Sequence, residues 1–212
     1  NCVDVALGAE DRVHVLLRSA IQTEIVTLTF DDDVLGTISE LGTDEGKLQW
    51  PVQLVADSDE NLYVSDEALD RISAFTKEGE FIGCWGQSGG GEGEMSRPSG
   101  IAFDSDDNMY VADTLNHRIQ RFTKDGRFLS TWGRFGDGPG EFNMPWGVAV
   151  DEDGDVYVSD WRNDRIQKLT ADGGFIFSFG RSGAGDGEFN RPAGVSVDND
   201  GDIYVADRDN NR

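Results

Sequence analysis

Short apolar runs alternate with glycine- and aspartate-rich segments along the whole chain. From Pro51 onward the alternation is periodic: Pro51, Pro98, Pro145 and Pro192 stand 47 residues apart, with no insertion between copies. The copy that starts at Pro145 is representative. Residues 147–150 are an apolar run, 151–155 an acidic turn, and 156–158 a Val-Tyr-Val run. A loop over 160–164 leads to a run at 165–169, where Ile166 and Leu169 are only loosely in phase. Another turn at 171–174 precedes the aromatic run 175–179. β-Branched and aromatic runs separated by Asp-Gly turns predict β-hairpins, here four strands a to d. No stretch sustains a helical period. A glycine-rich loop over 180–190 then carries the chain to the next proline.

Four antiparallel strands in fewer than 50 residues make one twisted sheet. Sheets of that size repeated radially form a β-propeller, whereas a solenoid with one strand per turn would need a shorter repeat. The expected fold is therefore all-β, a propeller of four-stranded antiparallel blades of about 47 residues each. The register extends back to a degenerate copy at 4–50, with strand b at 12–16, c at 25–28 and d at 34–38. That copy lacks the Tyr-Val pair and has Glu24 where the others carry arginine. Full copies follow at 51–97, 98–144 and 145–191, and a half copy at 192–212.

The block Pro-x-Gly-Val-Ala-Val-Asp at 145–151, Val-Tyr-Val-Ser-Asp at 156–160 and Asn-x-Arg-Ile-Gln at 163–167 resembles the NHL-repeat family of β-propellers. Ala112-Asp113, the Asn116 to Gln120 segment and the glycine-rich linker 136–142 share the likeness. The resemblance implies a single propeller domain over 1–212, part of a six-bladed ring. Six copies would need roughly 282 residues, so about one and a half blades would be missing. The chain starts at Asn1 without a methionine and stops inside a repeat, which reads as a processed or truncated product. Another chain could complete the ring.

Composition narrows the partners. The 41 acids outnumber the 18 bases, for a net charge of −23. Such a chain is repelled by nucleic acid and by anionic membranes, and no apolar run reaches membrane-spanning length. The acids are spread through every repeat, a pattern of solubility. Two cysteines, Cys2 and Cys84, sit at non-equivalent places and define no disulfide framework. The acidity, the missing start and the resemblance together suggest an extracellular, periplasmic or cell-envelope protein of a prokaryote.

Residues that recur across the typical copies are expected to be structural. These are the Asp66/Arg71, Asp113/Arg118, Asp160/Arg165 and Asp207/Arg212 pairs, together with the turn residues Asn116, Asn163 and Asn210. The acidic turns carry carboxylates at alternate positions, notably Asp151, Asp153, Asp155 and Asp198, Asp200, Asp202. Alternate carboxylates are calcium-loop spacing, but strand b begins before the remaining oxygen ligands could follow, so a plain hairpin turn is expected and calcium is the alternative. Only His14 and His117 are present, too few for a three-histidine zinc site like that of the zinc lyases among NHL-like propellers.

Function is then sought where copies differ. Before the proline stand Trp50, Arg97, Met144 and Arg191; after it Val52, Ser99, Trp146 and Ala193. The b-to-c loop has Glu67, Thr114 and Arg208 in three copies but Trp161, followed by Arg162, in the fourth. In a propeller these loops open on one face. Trp50, Arg97, Trp146, Trp161, Arg162, Arg191 and Arg208 are therefore expected to form a binding face, tryptophan and arginine being the residues most enriched at binding hot spots. Trp85 and Trp132 share one position in strand d and are expected in the core. The expected function is a non-catalytic scaffold for a protein, peptide or glycan. The alternative is a metal-dependent lyase or hydrolase with its site on the propeller axis.

Overall fold

Each predicted hairpin pair forms a sheet. The computed structural model describes residues 1–9 and 11–212 and contains four four-stranded antiparallel sheets and one two-stranded sheet. The first blade holds β1 (Cys2–Leu7), β2 (Arg12–Arg18), β3 (Thr23–Thr29) and β4 (Val34–Ile38). The second holds β5 (Pro51–Ala56), β6 (Leu62–Asp66), β7 (Arg71–Phe75) and β8 (Phe81–Trp85). The third holds β9 (Pro98–Phe103), β10 (Asn108–Asp113), β11 (Arg118–Thr123) and β12 (Phe128–Trp132). The fourth holds β13 (Pro145–Val150), β14 (Val156–Asp160), β15 (Arg165–Leu169) and β16 (Phe175–Phe179), and the last sheet β17 (Pro192–Val197) and β18 (Ile203–Asp207). Strand a thus begins at its proline and strand b runs to its aspartate, each two residues longer than the apolar runs alone indicate.

The chain forms two compact units, Asn1–Pro98 and Ser99–Arg212. In the first, the core joins Leu16, Ile25 and Ile38 of the first blade to Leu54, Leu62, Val64 and Phe75 of the second. In the second unit, Tyr110, Ala112 and Ile119 pack against Val148, Val156, Val158 and Leu169. A further cluster places Tyr157 and Ile166 beside Val195, Val197, Ile203 and Val205. Burial follows position in the sheet rather than simple alternation. In the second and fourth blades strand b is buried along its whole length, at Leu62–Asp66 and Val156–Asp160, because both of its faces are covered. Strand d is mostly exposed, as Phe175–Phe179 shows.

Two glycines let neighbouring a strands approach closely. A Cβ on Gly100 would lie 2.3 Å from the Trp146 carbonyl oxygen, and one on Gly147 would lie 2.5 Å from that of Ala193. Both obstacles are backbone, which cannot swing aside, so only glycine fits.

The acidic turns are built alike. Asp151 Oδ1 accepts the N–H groups of Asp153 (3.1 Å) and Asp155 (2.8 Å), and Oδ2 accepts the Tyr157 hydroxyl at 3.1 Å. Asp198 does the same with Asp200, Asp202 and Tyr204. The recurrent tyrosine therefore closes its own hairpin. Where it is deeply buried, at Tyr110, burial pushes the phenol up to about 12.

Candidate functional site

A buried carboxylate ends strand b in every sheet but the first, as Asp66, Asp113, Asp160 and Asp207, and organises the loops around it. Asp160 has no exposed side-chain surface. It accepts from Asn143 N–H (2.7 Å), Asn163 Nδ2 (2.8 Å), Arg165 Nε (2.8 Å) and Gln167 Nε2 (3.1 Å). Arg165 then donates through Nη2 to the carbonyls of Gly138 and Glu141, and Asn163 to that of Gly136. The b-to-c loop is thus tied to the glycine-rich loop that precedes strand a. Burial pushes the Asp160 carboxyl up, while Asn143, Asn163 and Arg165 pull the other way. At Asp207 burial opposes the same kind of donors, and the donors hold its carboxyl below the ordinary value. Asp113 and Arg118 repeat the pair at 2.8 Å and Asp207 and Arg212 at 2.9 Å. In the second blade Arg71 donates to the carbonyls of Thr43, Asp44 and Lys47, and Asp66 accepts the N–H groups of Gln49 and Trp50.

This frame brings together three positions whose side chains vary: the second residue of strand a, the first residue of the b-to-c loop, and the residue before the next proline. In the third blade they are Ser99, Thr114 and Met144. The Ser99 and Thr114 hydroxyls lie 2.7 Å apart, and Thr114 Oγ1 donates to the Pro145 carbonyl at 2.8 Å. In the second blade Glu67 and Arg97 form an ion pair at 2.8 Å. In the fourth blade the trio is Trp146, Trp161 and Arg191. The two indoles lie 5.9 Å apart at 39°, in place of the hydroxyl pair. The Arg191 guanidinium lies 5.2 Å from the Trp161 ring centre, in place of the ion pair. Arg162 covers the same ring at 5.4 Å. Guanidinium groups at such distances are held by the ring quadrupole.

Strand β13 opens, like β5 and β17, with an irregular register. Its pairing with β14 slips between Pro145 and Val148, so Trp146 lies at a bulge, a device that re-aims side chains. Arg191 also pairs with Asp209 at 3.3 Å, and Arg208 approaches the same carboxylate at 3.9 Å; both arginines are half-exposed. The structure thus brings Trp146, Trp161, Arg162 and Arg191 into one cluster, with Arg208 joined to it through Asp209. Trp50 and Arg97 belong to the other unit. Trp50 is 44% exposed and carries the Arg18 guanidinium 4.3 Å from its ring centre, while Arg97 is engaged by Glu67. Trp132 packs against the core, as its position in strand d predicts.

Sequence reasoning missed the brace beneath these side chains. Arg97, Met144 and Arg191 all have positive φ, between 53° and 58°, although each precedes a proline. Non-glycine residues seldom adopt this conformation, and proline further restricts its predecessor. Each is held by an acceptor 27 residues earlier. Asp70 takes the Arg97 N–H and Asp164 the Arg191 N–H, both at 2.7 Å. His117 Nδ1 takes the Met144 N–H at 3.1 Å. The recurring offset of 27 was present in the sequence; the need for an acceptor was not. Phe135, 66% exposed with its ring 5.0 Å from that of His117, is a further aromatic that the sequence did not single out.

Among the described residues no group of three or more His, Cys, Asp or Glu side chains is placed to hold a metal ion. At the acidic turn of the fourth blade the Lys168 ammonium stands 2.9 Å from Asp151 and 3.0 Å from Asp155. Among the described residues no helix is long and apolar enough to cross a membrane.

Four-stranded antiparallel blades in tandem, with their variable side chains on the b-to-c loops and strand a entrances, define a β-propeller. The repeat model of the NHL family matches residues 95–122, 142–169 and 189–212, so these three segments carry NHL repeats within a β-propeller fold. No curated protein sequence matches the chain. Among solved structures it is similar to virginiamycin B lyase from Staphylococcus aureus, with 16% identity and a TM-score of 0.67 over 97% of this chain and 63% of that one. It is also similar to a chain of the nidogen/laminin complex (19% identity, TM-score 0.69, 97% and 72% covered). A gluconolactonase of Xanthomonas campestris is a third (16%, 0.68, 96% and 68%). The chain spans under two thirds of the lyase's length, and at such identities the likeness is one of fold.

Proposed function

We propose that the chain is a non-catalytic binding scaffold, and that a protein, peptide or glycan docks on its tryptophan- and arginine-bearing loops. The observation that carries this reading is the fourth-blade cluster. Where the third blade has two small hydroxyl residues, the fourth has two half-buried indoles flanked by Arg162 and Arg191. Three arginines gathered there stand out against a net charge of −23, so the cluster favours a partner with an anionic group beside an apolar or ring surface. An extracellular or cell-envelope setting belongs to the same proposal, as does completion of the ring by another chain. A metal-dependent lyase or hydrolase is the second reading, favoured by the fold likeness to a lyase and a gluconolactonase.

One experiment separates the two. The immobilised chain is offered panels of peptides and glycans, with and without a chelator. The scaffold reading expects capture that survives chelation and falls about thirtyfold or more in Trp161→Ala or Arg162→Ala, the scale of a hot spot. Capture unchanged in both variants refutes the face. Stoichiometric metal together with turnover lost on chelation selects the enzyme.

A further inference from the structure

We propose that His117 is an acid-sensitive latch on the Met144–Trp146 segment, holding it when neutral and releasing it when protonated. Comparison of the copies carries the argument. In the other two braces the strained residue before proline is held by an aspartate, Asp70 or Asp164. A carboxylate remains an acceptor far below neutral pH. In the third blade the same bond is made by imidazole Nδ1 to the Met144 N–H. That bond fixes the tautomer: Nδ1 accepts, so the proton sits on Nε2. A second proton can go only to Nδ1. It turns the acceptor into a donor aimed at another donor.

The segment under this latch is poised to move. Met144 has a φ of 58° and precedes Pro145, so it relaxes once its acceptor is lost. Two residues on, Trp146 rests against Trp161. Further ties remain, from Thr114 to the Pro145 carbonyl and from Ser99 to the Trp146 carbonyl, so release re-aims the segment without unfolding it.

The groups around the imidazole set the direction of titration. Phe135 from the glycine-rich loop covers one side. The Asp113 and Asp160 carboxylates, at the ends of β10 and β14, favour the charged ring, yet each is engaged by its own arginine, Arg118 and Arg165. Burial dominates and holds the imidazole below the ordinary histidine value. His117 is thus a positioning residue for the tryptophan pair. As regulation of the binding face the idea rests on the scaffold reading; as a motion it does not.

The test needs no ligand. NMR spectra of the full chain are followed from pH 8 to pH 5. The imidazole of His117, the Met144 amide and the Trp146 and Trp161 indole N–H groups should titrate together, with a midpoint below the ordinary histidine value. Exchange of the Met144 amide, corrected for its intrinsic pH dependence, should rise about tenfold, as for one lost hydrogen bond. His117→Asp, which installs the acceptor of the other braces, should abolish the transition. If that variant does not fold, His117→Asn supplies an uncharged acceptor and should do the same. The proposal is overturned if the imidazole titrates while the Met144 amide and both indoles stay fixed. It is equally overturned if His117 does not titrate in this range, or if the variant keeps the transition.

Discussion

Replacing Asp160 with asparagine removes one negative charge from a side chain with no exposed surface and leaves its volume unchanged. The carboxylate serves four donors at 2.7 to 3.1 Å, one of them the Arg165 guanidinium, itself only 14% exposed. Asparagine keeps a single acceptor oxygen and points an NH2 group at the remaining donors. Arg165 keeps its bonds to the Gly138 and Glu141 carbonyls but loses its counter-charge. Breaking one side of a buried ion pair costs about 3–5 kcal/mol. Native-state relaxation is limited, because Asn163 and Arg165 are also bound to the glycine-rich loop. Equilibrium urea unfolding, followed by tryptophan fluorescence, reads the loss as a lower midpoint at unchanged slope. The cycle with Arg165→Gln isolates the pair: the double variant should be less destabilised than the sum of the singles. Asp207→Asn, whose partner Arg212 is 44% exposed, should cost clearly less. A loss below about 1 kcal/mol for Asp160→Asn would place it among ordinary surface substitutions and refute the hub.

Two further predictions test other parts of the frame. Gly147→Ala should destabilise the second unit by about 1–3 kcal/mol or prevent its folding, because the new Cβ meets the Ala193 carbonyl oxygen; urea midpoints no different from the parent chain would contradict the close approach of β13 and β17. His14 is almost fully buried and bonded to Thr27 at 2.9 Å, and burial, with Arg12 assisting, holds its imidazole below the ordinary value. The unfolded chain therefore takes up the proton first, and stability should decline as pH falls from about 6.5 through the folded-state value. Urea midpoints at successive pH values should show a shallower decline in His14→Gln, and an identical slope would count against the buried neutral ring.

The fold was legible because its determinants are local and repeated. Evenly spaced prolines, acidic turns and Tyr-Val pairs mark four strands per typical copy, and the Asp/Arg pairs recur there because each typical copy has its own hub. The site was only partly legible. Trp146, Trp161, Arg162 and Arg191 could be found by asking where copies differ, yet their pairing depends on a bulge in β13 that no residue type announces. The strained dihedrals before the prolines were hidden for a related reason. Backbone φ at Arg97, Met144 and Arg191 is imposed by bonds from 27 residues earlier, not by their own side chains. Nor could the sequence reveal that Lys168 bridges Asp151 and Asp155, since that contact crosses from strand c to the a-to-b turn.

The division between frame and trio explains how one blade can acquire a binding cluster without losing its fold. The hub carboxylate, its arginine and its asparagine bond mainly to backbone groups of the glycine-rich loop, so they place no demand on the three variable side chains. Those three are coupled to one another and to neighbouring loop groups, such as Asp209 and Arg162 in the fourth blade. A carboxylate at the b-to-c position is matched by an arginine before the proline, as in Glu67 and Arg97; an indole there is matched by a stacked arginine, as in Trp161 and Arg191. Likewise a hydroxyl meets a hydroxyl in Ser99 and Thr114, and an indole meets an indole in Trp146 and Trp161. Change at one position therefore calls for change at its neighbour but not in the strands. The surface chemistry of a blade is then set by three residues on a scaffold that stays constant, which is why the differences between copies, rather than their common motif, carry the functional reading.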